Sequence, residues 1–240
     1  MVRINLGSVL VDFPPTGDPQ LRRNCKTYLR ETYICAAEEN MLTIGLIGGV
    51  ASGKSAVAAE LARRGAVIFD ADKIGHAVLQ RPAVRDELVA RWGREILDGA
   101  GGISRPAVAK LVFGDTNEAE ANRQSLEELL HPLIRAQIEA EIRQLPDAVI
   151  PAVVIDAPLL IESGWNEVCQ AVIFVDAPRE QRLARAQQHR GWSPEEFARR
   201  EAAQMPIDEK RGWSTHVIRN AGSLEELVAA VDRFWQAAVA

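Results

Sequence analysis

The most informative motif in this chain is the segment Gly48–Ser55, which reads Gly-Gly-Val-Ala-Ser-Gly-Lys-Ser. It fits G-x-x-x-x-G-K-[ST], the pattern of a phosphate-binding loop between a strand and a helix. Its glycines let backbone N–H groups curl inward, and the following helix adds the positive end of its dipole. In this pattern Lys54 reaches the β- and γ-phosphates, and the Ser55 hydroxyl ligates Mg²⁺. A glycine-rich turn before a helix is the simpler alternative, and both flanks argue against it.

The loop therefore predicts a nucleoside triphosphate site. The residues that we expect to contact the nucleotide are Gly49, Val50, Ala51, Ser52, Gly53, Lys54, Ser55 and Ala56. The motif alone does not separate kinases from other nucleotide-binding proteins, so the rest of the chain has to decide.

Carboxylates follow two further apolar runs, at Asp70-Ala71-Asp72 and at Asp156. Because the carboxyl ends of parallel strands face the ligand crevice, Asp72 can orient an acceptor hydroxyl and take its proton. Asp156 can hold Mg²⁺, directly or through water. The alternatives are that Asp72 caps a helix beginning at Lys73, and that Asp156 opens the turn before Pro158. Spacing alone does not decide between the proton-accepting and capping roles of Asp72. For Asp156 it favours the metal role.

Basic residues follow another apolar run, at Arg179, Arg182, Arg185 and Arg190. A charged helix is usually a solvated face, but arginines at this position of a nucleotide kinase can close over phosphates. We expect at most two of the four to contact phosphate. His131 lies among apolar residues, where a core or capping role is more common than catalysis. Pro132 predicts that a helix begins there.

Apolar runs alternate with helical patterns from residue 41 onward, which predicts a mostly parallel sheet covered on both faces. The Ser223–Glu226 pair predicts a capping box. Strands are predicted at 42–47, 66–69, 149–155, 171–175 and 217–218, and helices at 55–64, 193–204, 223–238 and through most of 82–145, with a break at 99–102.

Composition favours a globular protein of 240 residues with a net charge of −5, which gives no global field for nucleic acid or an anionic membrane. No apolar run approaches the roughly 20 residues of a membrane span. Cys25, Cys35 and Cys169 lack metal-ligand spacing, which favours reduced thiols in the cytoplasm. We therefore expect a cytoplasmic protein that binds neither nucleic acid nor membrane.

Residues 1–40 differ from the rest, because prolines and a glycine cluster between Pro14 and Pro19. We expect a poorly ordered extension outside the functional domain, or one that comes from an upstream start codon in place of Met41. The alternative is a short helix from Tyr28 to Ala37 that docks on the domain surface.

Taken together, the motifs resemble those of the dephospho-CoA kinase family. The matching segments occur in the family's order at Gly48–Ser55, Asp70–Asp72, Leu129–Ile134, Pro158–Glu162, Arg185 and Ala202–Gln204. The resemblance covers residues 41–240. It implies an α/β parallel-sheet P-loop nucleoside-triphosphate hydrolase fold, with a helical acceptor-binding insertion near 76–145 and a lid near 179–205.

The resemblance also implies transfer of the γ-phosphoryl of ATP to the ribose 3′-hydroxyl of dephospho-CoA, with Mg²⁺ as cofactor. Asp72 then aligns with the family's base and Arg185 with its lid arginine, so Lys54, Asp72 and Arg185 are the implied catalytic residues. Asn220 belongs to a segment, 220–222, that resembles the family's segment near the ATP adenine. Ser55 and Asp156 are the implied metal ligands. The implied acceptor-binding residues are Asp72, His131, Arg105 and Glu162.

The chain departs from the family's pattern at Ala51, where glycine is usual, at Ala56, where threonine is usual, and at Arg219, where aspartate is common. Two alternatives accompany the kinase interpretation: another small-molecule P-loop kinase acting on a nucleoside or nucleotide, and a regulatory protein that uses the nucleotide as a switch. We expect a monomer or a small homo-oligomer.

Overall fold

The computed structural model describes residues 2–6, 9–13, 41–114, 116–146 and 150–239. The chain forms two compact units, residues 1–39 and residues 40–240. In the first unit, strand β1 (Val2–Leu6) pairs antiparallel with β2 (Val9–Phe13). No strand was expected there, although apolar and polar residues alternate in 2–6 with the period of a strand. The predicted disorder and docking helix in residues 14–40 lie outside the described residues.

A five-stranded parallel sheet organises the second unit. Its strands are β3 (Leu42–Gly48), β4 (Val67–Asp70), β5 (Ala152–Asp156), β6 (Ala171–Asp176) and β7 (His216–Arg219), in the order β4-β5-β3-β6-β7. All four pairings are parallel, as predicted. The chain leaves β3 toward one edge of the sheet and β6 toward the other. The carboxyl ends of β3 and β6 therefore flank the crevice where open α/β sheets bind ligands.

Helices cover both faces of this sheet and also form a separate helical region. They are α1 (Lys54–Arg63), α2 (Ala71–Leu79), α3 (Pro82–Trp92), α4 (Arg105–Val112), α5 (Asn117–Ile142), α6 (Arg179–Arg190), α7 (Pro194–Ala202), α8 (Ile207–Gly212) and α9 (Leu224–Ala238). The predicted capping box at Ser223 and Glu226 is present. No helix in the described part of the chain is long and apolar enough to cross a bilayer.

Apolar side chains form one core on each face of the sheet and another within the helical region. Residues of α1 and α9, such as Leu61 and Val231, pack on one face. Phe69, Leu160 and Ile138 of α5 belong to the core of the other face. A separate cluster joins α2, α3 and α4 to α5, so the helical region has a core of its own.

Helix α5 corrects one prediction. We expected a helix to begin at Pro132, but Pro132 lies inside α5, which begins at Asn117 after its cap, Thr116. The Thr116 hydroxyl accepts a hydrogen bond from the Ala119 N–H at 3.1 Å. Proline removes one helical hydrogen bond, and the leucines on both sides of it pack into the helical-region core. Tertiary packing therefore outweighs the local break.

Candidate active site

The phosphate loop connects β3 to α1 at the crevice predicted by the strand order. Gly53 precedes the first helical residue with φ 96°, in the left-handed region that favours glycine. A Cβ atom at Gly53 would lie 2.0 Å from Asn220 Nδ2, so close packing also requires glycine here. At Gly49 a Cβ would lie 2.9 Å from a guanidinium nitrogen of Arg182. The loop is therefore tightly enclosed by residues from distant parts of the chain.

Three of the enclosing residues hydrogen-bond to the loop's backbone carbonyls. Arg182 donates to Val50 O at 3.3 Å, and Asn220 Nδ2 donates to Ser52 O at 2.8 Å. Arg185 donates to Ser52 O at 3.2 Å and to Asn220 O at 2.9 Å. Because carbonyls pinned from outside leave the N–H groups directed inward, these contacts support an anion-binding loop.

Arg182 is itself held in place from several directions. Its side chain is buried, and its Nη1 lies 2.6 Å from a carboxylate oxygen of Glu201 on α7. It also donates to Ala177 O at 3.1 Å and lies over the ring of Phe197. A buried guanidinium needs such partners, and here they join the phosphate loop to α6 and α7.

Ala51 adopts φ 57°, and it is the one non-glycine residue with a positive φ in the described part of the chain. This is the position where the resembled family usually has glycine. An alanine there costs roughly 1–2 kcal/mol relative to an unstrained backbone. The contacts made on the neighbouring carbonyls of Val50 and Ser52 are what hold this conformation.

Lys54 and Asp156 form the electrostatic centre of the site. Lys54 is the first residue of α1, and burial lowers the pKa of its ammonium, with Asp156 opposing that shift. Burial raises the pKa of the Asp156 carboxyl, which Lys54 opposes and which Asp70 and Asp72 reinforce. No described residue forms a salt bridge with Lys54. The ammonium is therefore suited to an anionic ligand.

Asp70 and Asp156 occupy paired positions at the carboxyl ends of β4 and β5. Asp70 is the N-cap of α2 and accepts from the Lys73 N–H at 3.0 Å. The capping role considered for Asp72 thus belongs to Asp70, and Asp72 lies in the first turn of α2. Burial and the Asp70 carboxylate raise the pKa of Asp72, against His76, Lys54 and Arg105. A carboxylate with a raised pKa is better suited to accept a proton.

A cleft of about 530 Å³ extends from the phosphate loop between α6 and the start of α9. Loop residues 51–56 line it together with Arg185, Arg190 and Asn220, and Gly222 and Leu224 lie further along. The Arg190 guanidinium lies over the Trp192 ring, 4.8 Å from its centroid. A nucleotide with its phosphates in the loop therefore has room for its base and ribose in this cleft.

Comparisons with known proteins agree with this geometry. The family model described as dephospho-CoA kinase matches residues 42–226. The chain belongs to the dephospho-CoA kinase family. It is 40% identical over 200 residues to the dephospho-CoA kinase of Symbiobacterium thermophilum, covering 82% of each chain. With that of Geobacter metallireducens it shares 40% identity over 197 residues, covering 82% of this chain and 96% of the relative.

Solved structures agree on the fold. The crystal structure of TT1252 from Thermus thermophilus superimposes with a TM-score of 0.72 at 34% identity, covering 84% of this chain and 100% of that one. The dephospho-CoA kinase from Campylobacter jejuni superimposes with a TM-score of 0.61 at 24% identity, covering 82% and 96%. The predicted family and the predicted parallel-sheet P-loop fold are confirmed.

In this member of the dephospho-CoA kinase family the predicted residues separate into two groups. Those expected at the nucleotide come together in one place. Residues 49–56 form the loop, Arg185 and Asn220 hydrogen-bond to it, and both line the adjoining cleft. Asp72 and Asp156 lie within electrostatic range of Lys54, since both carboxylates act on the pKa of its ammonium. Arg105 begins α4, and its charge opposes the rise in the pKa of the Asp72 carboxyl.

The remaining predicted acceptor-side residues are His131 and Glu162. His131 is half-buried in the middle of α5. Glu162 lies 3.4 Å from Lys210 Nζ and accepts from the Met205 N–H at 3.4 Å. A direct role of His131, Arg105 or Glu162 in acceptor binding stays a prediction.

Sequence reasoning did not assign a role to three residues of this site: Asp70, Arg182 and Lys210. Asp70 is part of the Asp70-Ala71-Asp72 motif, and its position three residues before Lys73 is the local signal for a helix cap. Arg182 was one of four candidate arginines, and nothing local marked it as the buried one. Lys210 carried no local signal, because its partners come from a segment some 50 residues earlier in the chain.

Proposed function

We propose that this kinase transfers the γ-phosphoryl group of Mg-ATP to the ribose 3′-hydroxyl of dephospho-CoA, giving coenzyme A and ADP. Lys54, Asp72 and Arg185 are the residues that we assign to the transfer. One observation carries the proposal. The enclosed phosphate loop and Asp72, a carboxylate of raised pKa in the first turn of α2, lie at the same edge of the parallel sheet.

On the nucleotide side, the loop's N–H groups and Lys54 hold the phosphates. Lys54 is suited to this because its ammonium is partly buried and unpaired among the described residues, so an anion regains what burial costs. The buried hydroxyl of Ser52, to which no described residue hydrogen-bonds, supplies another donor within the loop. Gly222 and Leu224 border the region of the cleft that we assign to the adenosine.

On the acceptor side, Asp72 orients the attacking hydroxyl and accepts its proton as the bond to phosphorus forms. Burial and the neighbouring Asp70 raise the pKa of Asp72, which strengthens it as a base, while Lys54 and Arg105 favour its ionised form. Asp70 fixes the direction of α2 by capping it. The base is thus positioned by the helix on which it lies.

The residues present fit a magnesium ion. Asp156 and the Ser55 hydroxyl are hard oxygen donors. Burial, reinforced by the carboxylates of Asp70 and Asp72, raises the pKa of Asp156, and a cation beside it would favour its ionised form. No group of three His, Cys, Asp or Glu side chains in the described residues could hold a metal alone. Asp156 and Ser55 would therefore share the ion with phosphate oxygens and water, and the bound ion would neutralise charge on the phosphates.

Arg185 donates to two carbonyls, and its guanidinium has further N–H groups available for a phosphate oxygen. We assign it two roles, because it both supports the loop and stabilises charge on the transferring group. Arg190 lines the same cleft and reinforces the positive field around Lys54.

A coupled assay for ADP release tests the proposal, with Mg-ATP and dephospho-CoA, adenosine or AMP as the acceptor. Of the three acceptors, we expect only dephospho-CoA to give rapid turnover with Mg-ATP, and we expect chromatography to identify coenzyme A as the product. Rapid turnover with adenosine or AMP would favour the nucleoside or nucleotide kinase. Slow ADP release that no acceptor accelerates would favour the nucleotide switch.

The cytoplasmic location of the protein and its state as a monomer or small homo-oligomer stay predictions. Sedimentation of the purified chain, with and without ATP, measures the oligomeric state.

A further inference from the structure

Lys210 on α8 is 1% exposed, which makes it the most deeply buried lysine in the described part of the chain. An ammonium group loses hydration when it is buried and needs partners in return. Its Nζ donates to the Pro158 carbonyl at 3.1 Å and lies 3.4 Å from Glu162 Oε1. Both partners belong to the segment that follows β5, far from Lys210 in sequence.

The two partners tie Lys210 to the metal side of the site. Pro158 is two residues after Asp156, the strand-end carboxylate that we assign to Mg²⁺. Glu162 also accepts a hydrogen bond from the Met205 N–H at 3.4 Å, in the connection between α7 and α8. One buried cation thus joins the turn after β5 to the segment that carries the predicted lid into α8.

Helix α8, which carries Lys210, also lies close to the phosphate loop. Its charge contributes to lowering the pKa of Lys54, so the two ammonium groups lie within electrostatic reach of each other. Ile207, at the start of the same helix, packs near Gly49, where its Cδ1 would lie 2.9 Å from an added Cβ. Helix α8 therefore contacts both the loop and the turn after Asp156.

A stabilising role does not by itself account for this arrangement. Buried ion pairs are often no more stabilising than apolar residues of similar volume, because desolvation offsets their attraction. A lysine of this kind is better explained by what it holds in position.

We propose that Lys210 is a positioning residue of the reaction: through Pro158 and Glu162 it fixes the turn after Asp156, and it couples the α7–α8 connection to the metal side of the site. The inference rests on the proposed function, because the assignment of Asp156 to Mg²⁺ does. Lys210 acts through Asp156 and Lys54 and does not itself contact the reacting atoms. Glu162, in turn, acts on the metal side of the site through Lys210.

The test replaces Lys210 with methionine, which keeps the apolar length of the side chain and removes the donor. Lys110→Met is the matched control, since Lys110 is exposed on α4. Two quantities are measured on the full chain: kcat, and the Mg²⁺ concentration for half-maximal binding of a non-hydrolysable ATP analogue. Circular dichroism and melting temperature establish that each variant is folded.

For folded Lys210→Met we expect kcat to fall and the required Mg²⁺ concentration to rise, each by roughly 10–100-fold, the usual effect of losing a partner that orients a metal ligand. The KM for dephospho-CoA should stay within about two-fold of the wild type, because the acceptor side is untouched. Lys110→Met should leave all three quantities unchanged.

Glu162→Gln provides a second variant that keeps an amide oxygen for the Met205 N–H. It should shift kcat and Mg²⁺ dependence in the same direction but by less, since Lys210 retains the Pro158 carbonyl. In the double variant the losses should be far from additive, because the two residues act as a unit.

Two results would overturn the proposal. One is a folded Lys210→Met with unchanged kcat and Mg²⁺ dependence. The other is a rise in KM for dephospho-CoA with Mg²⁺ dependence unchanged, which would assign the pair to acceptor binding. If the wild type fails to phosphorylate dephospho-CoA, the proposed function fails, while the analogue-binding series still reports on Lys210.

Discussion

The two sides of the active site are built differently. The phosphate loop is held by hydrogen bonds from outside: Arg182, Arg185 and Asn220 donate to its carbonyls at 2.8–3.3 Å. On the acceptor side, none of the described residues hydrogen-bonds to the Asp72 carboxylate, which lies at the exposed surface of α2 and is only partly shielded from water by its neighbours. Its direction is set by the helix and its proton affinity by neighbouring charges.

The difference follows from what each half must do. A phosphate site depends on many backbone N–H groups directed at one place, which only a fixed backbone provides. A base needs the right distance and the right pKa, and it must stay free to accept a proton. Variants of the two halves should therefore fail differently, and changes at four positions test that contrast, beginning with the most damaging.

Asp72→Asn should give the largest loss, because asparagine keeps the shape but cannot accept a proton. We expect kcat to fall by roughly 10²–10⁴-fold, the usual contribution of general base catalysis. ATP affinity, measured by equilibrium binding, should change little. Asp86→Asn, an exposed carboxylate on α3, is the control. A collapse of ATP binding with kcat preserved would place Asp72 on the nucleotide side.

The same variant should be more stable than the wild type at neutral pH. A carboxyl whose pKa is raised on folding binds more protons folded than unfolded, so its ionisation lowers stability as pH rises between the unfolded and folded pKa values. Asparagine cannot ionise, so the melting temperature of Asp72→Asn should exceed that of the wild type at pH 7. The difference should vanish below about pH 3, roughly one unit under the ordinary aspartate pKa of about 3.9, where the carboxyl is largely protonated in both states. A melting temperature below the wild type at pH 7 would contradict the electrostatic account.

Lys54→Ala should leave the fold intact and reduce kcat by roughly 10²–10³-fold, the usual effect of removing one donor to transition-state charge. Because burial already disfavours the Lys54 ammonium, its removal should not lower the melting temperature. Turnover and thermal melting are the measurements, with Lys110→Ala as the control. Near-normal turnover by the folded variant would refute the phosphate-loop assignment.

Arg185→Ala tests whether the loop depends on its external support. Hydrogen bonds from a charged group are worth about 1.5–3 kcal/mol, so we expect kcat/KM for ATP to fall about ten-fold or more. If Arg185 also stabilises transition-state charge, kcat should fall more than KM rises. Arg199→Ala on α7 is the control, since Arg199 is exposed and pairs with Glu196 away from the loop.

A KM effect on ATP alone would show that Arg185 supports ground-state phosphate binding only. The contrast between the two halves would then be greater, because Arg185 would hold the loop without acting on the transferring group.

Ala51 should show the smallest effect. Ala51→Gly removes the cost of a Cβ at φ 57°, roughly 1–2 kcal/mol, against the greater freedom of glycine in the unfolded chain, about 0.4–1 kcal/mol. The net change in unfolding free energy by denaturant titration should therefore be about 1 kcal/mol or less, with activity retained.

Ala51→Val is the more demanding partner of that variant, because a β-branched residue is strongly disfavoured at positive φ. It should weaken ATP binding, whereas Ala59→Val on the exposed face of α1 should not. Equal behaviour of the two valine variants would show that the loop tolerates strain at residue 51.

The local parts of this protein could be predicted from short stretches of sequence. The glycine spacing of 48–55 specified the loop, the apolar runs specified five parallel strands, and the capping box specified the start of α9. These features depend on neighbouring residues only, so pattern and propensity were sufficient. Strand β5 spans Ala152–Asp156, which overlaps the predicted run 149–155 and ends one residue after it. The local errors include the missed strands β1 and β2, the missed helix α8 and the expected start of a helix at Pro132.

Which residues meet across the site could not be predicted in this way. Arg185 reaches Ser52 from 133 residues away, and Lys210 reaches Pro158 from 52 residues away. Asp70 faces Asp156 because β5 inserts between β3 and β4 in the sheet, a choice that neither strand's own sequence expresses. Contacts of this kind depend on strand order, on the packing of α6 against the phosphate loop and on the packing of α8 against β3. Because many chain segments compete for the same places, only the folded whole settles that arrangement.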